Sequence, residues 1–114
     1  MREKIFPSVI GLGYVGLPVF LRLHASFQTI GYDISNSRIN ELKKYQDKNN
    51  EFVKKDLKLK NRSRFTNDQR ELSKSNFYIV TVPTPINKKN VPDLDALKKA
   101  SYIISLKLKK NDIV

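Results

Sequence analysis

Short apolar runs alternate along this chain with segments in which apolar residues recur at helical spacing. The first run, residues 5–10 (IFPSVI), predicts a buried strand with Pro7 near its start, where a missing N–H donor is tolerated. From Tyr14 to about residue 25, apolar side chains recur three and four positions apart, which predicts a helix. Residues 28–33 (QTIGYD) predict a second strand, and this strand ends on a carboxylate.

The middle of the chain carries a weaker pattern. Ser35 is a candidate N-cap for a helix whose apolar side consists of Ile39, Leu42 and Tyr45. Residues 46–61 are polar and rich in Lys and Asn, and they predict a loop followed by a weakly amphipathic helix. The stretch around Phe65 predicts a short edge strand.

The strongest strand signal is the β-branched and aromatic run at residues 76–82 (NFYIVTV). A proline-rich loop follows it, and Asp93 is a candidate N-cap for a helix that carries Leu94, Leu97, Ala100, Ile104 and Leu108. The last residues, 111–114 (NDIV), look like the opening of another strand. Strands that alternate with helices predict an α/β fold, a Rossmann-like doubly wound parallel sheet. We expect residues 1–114 to form one such domain, and an incomplete one, because the pattern stops at a strand.

Three glycines lie at the junction of the first predicted strand and helix, in the segment Gly11–Gly16 (GLGYVG). In this setting Gly11 would allow a tight turn, Gly13 would let a diphosphate approach the main chain, and Gly16 would let the helix pack against the strand. The positive end of the helix would face the diphosphate. The pattern by itself is equally compatible with a simple packing turn.

Asp33 closes the second predicted strand about 20 residues after the glycine motif, where an acid accepts hydrogen bonds from the adenosine ribose of a dinucleotide. A carboxylate at this position repels a 2′-phosphate, so the sequence predicts NAD as the cofactor rather than NADP. The alternative interpretation is that Asp33 has no role in cofactor binding and only begins the turn at Ser35. Arg38 could neutralise Asp33 or reach the adenosine phosphate region, or it could be a surface arginine.

The segment Val82–Pro85 (VPTP) follows the strongest predicted strand and therefore lies at the sheet edge where open α/β sheets bind ligands. Its two prolines stiffen the loop, and the Thr84 hydroxyl can donate or accept a hydrogen bond. Spacing alone favours a loop that merely redirects the chain.

Composition narrows the possible functions. The 114 residues contain 22 Lys and Arg against 11 Asp and Glu, a formal net charge of +11, but the basic residues are scattered and not interleaved with aromatic ones. This distribution argues against nucleic-acid binding.

The absence of cysteine excludes a thiol nucleophile or thiolate metal site in this chain, and the single histidine, His24, is most simply a helix-surface or satisfied core residue. No apolar run is long enough to span a membrane and no cleavage site follows the first apolar run, so we expect a cytoplasmic protein.

The segments VIGLGYVGLP, GYDISNSRINEL and FYIVTVPTPIN, with the later PDL, resemble the N-terminal domain of the UDP-glucose/GDP-mannose dehydrogenase family. Within that family the chain is most similar to bacterial UDP-N-acetylhexosamine 6-dehydrogenases, which make uronic acids for capsule and O-antigen. The resemblance covers nearly the whole chain and is poorest at residues 46–69.

The resemblance implies that the cofactor is NAD, with the glycine segment at the pyrophosphate, Asp33 and Arg38 at the adenosine end, and the VPTP segment at the ribose and nicotinamide side. The cofactor contacts it implies are Gly11, Leu12, Gly13, Tyr14, Val15, Gly16, Asp33, Arg38, Val82, Pro83, Thr84 and Pro85.

The resemblance also implies an activity. Family enzymes oxidise the C6 alcohol of a UDP-sugar in two NAD-dependent steps through a thiohemiacetal on a cysteine, which would lie downstream of Val114. Residues 1–114 alone are therefore expected to be inactive, and the complete enzyme is expected to be a homo-oligomer. A different class of function, a stand-alone NAD-sensing regulatory domain, would share the glycines and the acid but would have no need of VPTPIN.

Overall fold

The computed structural model describes residues 4–114, and a parallel β-sheet of four strands lies at its centre. The spatial order of the strands is β3-β2-β1-β4, and every neighbouring pair is parallel. The strands are β1 (Pro7–Ile10), β2 (Ile30–Tyr32), β3 (Arg64–Thr66) and β4 (Phe77–Val80). The predicted parallel α/β sheet is confirmed, as is the short edge strand around Phe65.

Three α-helices and one 3₁₀ helix connect and flank these strands. They are α1 (Gly16–Leu23), α2 (Asn36–Lys43), the 3₁₀ helix Gln69–Lys74 and α3 (Asp95–Ser105). The predicted N-cap at Ser35 is confirmed, because its Oγ accepts a hydrogen bond from the Arg38 backbone N–H at 3.2 Å. Within residues 4–114, none of these helices is long and apolar enough to cross a membrane.

Both faces of the sheet are covered, because successive strand side chains point to opposite sides. Val9 packs on one side with a cluster from α1, α2 and β3, whereas its neighbour Ile10 packs on the other side with residues of the 3₁₀ helix and α3. The first cluster comprises Val9, Leu12, Leu17, Phe20, Ile39, Leu42, Leu57 and Phe65, and the second Ile10, Tyr32, Leu72, Tyr78, Ala100 and Ile104. Each fully buried leucine or phenylalanine contributes about 1.5–3 kcal/mol through removal of apolar surface from water.

The amphipathic helix predicted within residues 46–61 is wrong. This segment is a series of turns, and two of its carboxylates accept backbone N–H groups that a helix would need for its own ladder. Asp47 Oδ2 accepts from Glu51 N at 3.0 Å, and Asp56 Oδ2 accepts from Val53 N at 3.0 Å. Leu57 is nevertheless buried against the first cluster, so the segment is anchored to the core.

Two details of the predicted helices also differ from the structure. Tyr45 lies beyond the end of α2 with φ of 61° and is 41% exposed, so it does not extend the apolar side of that helix. Leu94, not Asp93, occupies the N-cap position of α3, although Asp93 Oδ1 accepts a hydrogen bond from Asp95 N at 3.0 Å. The predicted apolar face of α3 is only partly buried, through Ala100 and Ile104, whereas Leu94, Leu97 and Leu108 are exposed.

The strand predicted to open at residues 111–114 is present as a single β-bridge. Ile113 pairs in parallel with Phe77 at the outer side of β4, which is consistent with the opening of a further parallel strand. The backbone bonds there run from Tyr78 N to Ile113 O (2.8 Å) and from Ile113 N to Asn76 O (3.0 Å).

Candidate functional site

The candidate site lies at the carboxyl edge of the sheet, where β1, β2 and β4 end side by side. The turn between β1 and α1 is tied to β2 by a hydrogen bond from Gly11 N to Tyr32 O at 2.8 Å. It is tied to the end of β4 by a bond from Thr81 N to Ile10 O at 2.9 Å. The fold therefore brings the glycine turn, the acid after β2 and the loop after β4 to one edge, as predicted from the sequence.

Two of the three glycines are required by close packing inside this turn. Gly11 has φ of +99°, and a Cβ built on it would lie 2.9 Å from the carbonyl oxygen of Thr81. A Cβ on Gly16 would lie 1.7 Å from the carbonyl oxygen of Gly11 and 2.4 Å from Thr81 Oγ1. These contacts match the roles expected for a tight turn and for a helix packed closely on its strand.

Gly13 differs from the other two glycines, because the fold itself does not require it. It is exposed, and a Cβ built on it would meet no atom of the described chain within 4 Å. The open side of Gly13 therefore leaves the main chain accessible to a ligand.

The backbone around Gly13 offers donors for an anion. The N–H groups of Gly13, Tyr14 and Val15 donate no hydrogen bond within residues 4–114, and the first turn of α1 carries no acidic residue. Tyr14 and Val15 are 68% and 63% exposed. Free N–H groups at the positive end of a helix form a binding site for a phosphate, so a dinucleotide pyrophosphate fits this turn.

Asp33 has both of its carboxylate oxygens engaged by backbone. Leu12 N donates to Asp33 Oδ2 at 2.9 Å, and Ser35 N donates to Asp33 Oδ1 at 2.9 Å. Asp33 thus does begin the turn at Ser35, as one interpretation of the sequence held. Each carboxylate oxygen has a second lone pair, so the half-buried group keeps the capacity to accept ribose hydroxyls as well.

Arg38 is a buried residue, and the interpretation of it as a surface arginine is wrong. Its side chain is 4% exposed, its Nε donates to the carbonyl oxygen of Leu12 at 2.8 Å, and its Nη1 pairs with Asp47 at 2.8 Å and Glu41 at 3.0 Å. It forms no ion pair with Asp33 within the described chain, so the suggested neutralisation of Asp33 is wrong too. Nη2 is buried and has no protein partner in residues 4–114.

Asp47 belongs to this arrangement, and sequence reasoning missed it. Its side chain is fully buried, and its oxygens accept hydrogen bonds from Arg38 and from the backbone N–H groups of Asn49, Glu51 and Phe52. Burial alone would raise the pKa of the Asp47 carboxyl, but the hydrogen bonds and the charge of Arg38 outweigh it and hold the pKa below its ordinary value. Nothing in the Lys- and Asn-rich sequence around Asp47 sets this carboxylate apart.

The loop after β4 contributes a further residue that the sequence analysis passed over. Thr81 Oγ1 donates toward the carbonyl oxygens of Gly11 (2.7 Å) and Ile10 (3.2 Å), so it joins β4 to the glycine turn. A polar residue directly after the apolar run FYIV was an available signal. Val82 packs partly on the second core cluster, and Pro83, Thr84 and Pro85 are exposed at the same edge.

His24 lies outside this site, at the end of α1. It is 6% exposed, and its Nδ1 accepts a hydrogen bond from Lys60 N at 3.1 Å, which confirms the interpretation as a satisfied core residue. Burial, and secondarily the charge of Lys60, lowers the pKa of His24 below its ordinary value. No group of three or more His, Cys, Asp and Glu residues that could hold a metal ion occurs among residues 4–114.

Comparison with known proteins agrees with this geometry. Residues 5–114 match the model of the UDP-glucose/GDP-mannose dehydrogenase family, NAD binding domain. The chain is 43% identical over 112 residues to the UDP-N-acetyl-D-glucosamine 6-dehydrogenase of Salmonella typhi, an alignment that covers 98% of this chain and 26% of that enzyme. It is 44% identical over 107 residues to the enzyme of the same name from Pseudomonas aeruginosa, covering 94% of this chain and 25% of that protein.

Solved structures show the same fold. A UDP-D-ManNAc dehydrogenase from Pyrococcus horikoshii superimposes with a TM-score of 0.84 at 24% identity, over 96% of this chain and 27% of that chain. The chain thus spans about a quarter of the length of the curated relatives it matches. By its glycine turn, its strand order and its sequence, the chain belongs to the NAD binding domain of the UDP-glucose/GDP-mannose dehydrogenase family.

Proposed function

We propose that this chain supplies the NAD-binding site of an enzyme that oxidises the C6 alcohol of a UDP-sugar, with a UDP-N-acetylhexosamine as the favoured substrate class. The observation that carries the proposal is the open Gly13 backbone beside Asp33, within a family whose domain binds NAD. The substrate class rests on the relatives at 43% and 44% identity, which are named UDP-N-acetyl-D-glucosamine 6-dehydrogenases.

The residues of this chain would bind and orient the cofactor. The N–H groups of residues 13–15 would donate to the pyrophosphate, and Asp33 would accept from the adenosine ribose hydroxyls. By resemblance to the family, Arg38 would lie at the adenosine end, and the Val82–Pro85 loop would line the ribose and nicotinamide side. When bound, NAD accepts a hydride from the alcohol carbon.

The overall reaction balances with two equivalents of NAD. The C6 alcohol, two NAD⁺ and one water give the C6 carboxylate, two NADH and three protons. The groups that bind the sugar and carry out the chemistry would come from protein outside residues 1–114. Three further statements remain predictions of the resemblance. They are that the product serves capsule or O-antigen synthesis, that the complete enzyme is a homo-oligomer and that it works in the cytoplasm. The alternative of a stand-alone NAD sensor receives no support from the relatives described above.

A direct test uses the protein expressed from its complete gene. Purified protein is mixed with NAD and separately with UDP-N-acetylglucosamine, UDP-N-acetylgalactosamine, UDP-N-acetylmannosamine and UDP-glucose, and NADH is followed by its absorbance. We expect two NADH per sugar with at least one UDP-N-acetylhexosamine. Binding of NAD with no NADH from any UDP-sugar would contradict the proposed reaction.

A further inference from the structure

Leu12, the residue before Gly13, is held at both its backbone N–H and its carbonyl oxygen by side chains from elsewhere in the chain. Leu12 N donates to Asp33 Oδ2 at 2.9 Å, and the Leu12 carbonyl oxygen accepts from Arg38 Nε at 2.8 Å. The Leu12 side chain is fully buried in the first core cluster. The position of the Gly13 backbone therefore depends on Arg38 as much as on Asp33.

Arg38 in turn is held by a carboxylate that no solvent reaches. Its Nη1 lies 2.8 Å from Asp47 Oδ1, and the Asp47 side chain is 0% exposed. Glu41 contacts the same nitrogen at 3.0 Å but is 19% exposed, so water can reach that partner. Loss of the Asp47 charge would leave the buried guanidinium with Glu41, which is partly solvated, as its one counter-charge among residues 4–114, and a buried charge is sensitive to the loss of its partner.

Asp47 is fixed by the residues that follow it. Asn49 N donates to Oδ1 at 3.1 Å, and Glu51 N and Phe52 N donate to Oδ2 at 3.0 and 3.2 Å. Phe52 packs against the first core cluster, which anchors this turn to the body of the domain. The segment of residues 47–52 is thus built around one carboxylate whose remaining bond goes to Arg38.

We propose that Asp47 is a positioning residue for the cofactor site: it orients Arg38, which holds the Leu12 carbonyl and so sets the Gly13 backbone that would meet the pyrophosphate. This inference rests on the proposed function and adds to it a residue that does not itself touch the cofactor. The competing explanation is that Asp47 only stabilises its own turn. That explanation predicts a less stable protein whose folded fraction binds NAD normally.

The test compares two variants of the protein expressed from its complete gene. Asp47→Asn removes the charge that pairs with Arg38 and keeps one acceptor oxygen, which can face the Glu51 and Phe52 N–H groups while the new NH2 group takes the place of the oxygen that accepts from Arg38 and Asn49 N. Asp56→Asn is the matched control, because Asp56 also accepts a backbone N–H, from Val53, but does not contact Arg38. We expect Asp47→Asn to raise KM for NAD about tenfold, the equivalent of one charge-assisted hydrogen bond. KM for the UDP-sugar and kcat at saturating NAD should stay near those of Asp56→Asn, and Asp47→Glu should recover part of the loss.

A second measurement keeps the inference testable if Asp47→Asn does not fold. Hydrogen exchange of the unmodified protein is compared with and without NAD. Because coupling between two sites is reciprocal, NAD should slow exchange of the amides at residues 49–52. The amide of Lys109, held by Asp112 in a distant turn, serves as the internal control.

The outcomes separate the two proposals. An unmodified protein that binds NAD, with no NAD-dependent protection at residues 49–52 or with an unchanged KM for NAD in Asp47→Asn, overturns the role of Asp47 alone. An unmodified protein that binds no NAD overturns the proposed function, and the role of Asp47 with it.

Discussion

Substitution of Gly13 separates cofactor binding from folding, because Gly13 is the one glycine of the turn that has space around it. A Cβ at this position would meet nothing within 4 Å, and Gly13 is not among the residues with positive φ. Gly13→Ala should therefore change the free energy of unfolding by no more than about 0.5 kcal/mol. The unfolded chain also loses some freedom, which favours the variant slightly.

The effect on binding should be much larger. A methyl group on Gly13 would keep the pyrophosphate from the free N–H groups of residues 13–15, and each hydrogen bond to a charged group is worth about 1.5–3 kcal/mol. Loss of one such bond corresponds to a roughly 10- to 150-fold rise in the dissociation constant for NAD. Titration calorimetry and thermal unfolding of the same samples measure both quantities.

Gly16→Ala is the matched control for this substitution. Its Cβ would lie 1.7 Å from the backbone oxygen of Gly11, so α1 and the turn after β1 would have to move apart, at a cost of about 1–3 kcal/mol of stability or more. A Gly13→Ala protein that unfolds as easily as Gly16→Ala, or that binds NAD as tightly as the unmodified protein, would refute the assigned role of Gly13.

Three further predictions follow from other parts of the structure. Thr81→Val should destabilise the domain by about 1 kcal/mol, because it removes the Oγ1 hydrogen bond to the glycine turn; Thr81→Ser should restore stability in denaturant titrations. His24 has a pKa lowered from the ordinary value of 6.5, so its contribution to stability is complete above that value and is lost as the pH falls toward the folded-state pKa. His24→Asn should flatten the pH dependence of the melting temperature between the folded-state pKa and 6.5. An unchanged pH dependence in this variant would argue against a role of His24 in it. Residues 1–114 alone, which contain no cysteine, should produce no NADH from any UDP-sugar, and steady NADH formation by the purified fragment would disprove this.

The elements that could be predicted from the sequence are those whose signal is local. β1, β2 and β4 are short apolar runs, and the glycine turn between β1 and α1 carries its own spacing. The Ser35 cap likewise depends on an N–H only three residues away. For these features the predictive signal lies in residues close in sequence, even where the contact partner is distant, as Thr81 is for Gly11.

The features that could not be predicted depend on hydrogen bonds made by individual polar side chains. Arg38 is buried because Leu12, 26 residues earlier, and Asp47, nine residues later, accept its hydrogen bonds. The turns of residues 46–61 replace a helix because Asp47 and Asp56 accept nearby backbone N–H groups while Leu57 packs into the core. Apolar periodicity does not report on contacts of this kind.

Cofactor discrimination tests the assignment of this edge most directly. Calorimetric titration of the protein expressed from its complete gene should show tighter binding of NAD than of NADP, because the Asp33 carboxylate would repel the 2′-phosphate. Asp33→Asn should narrow the difference between the two cofactors. Equal affinities of the unmodified protein for NAD and NADP would contradict the placement of the adenosine ribose at Asp33.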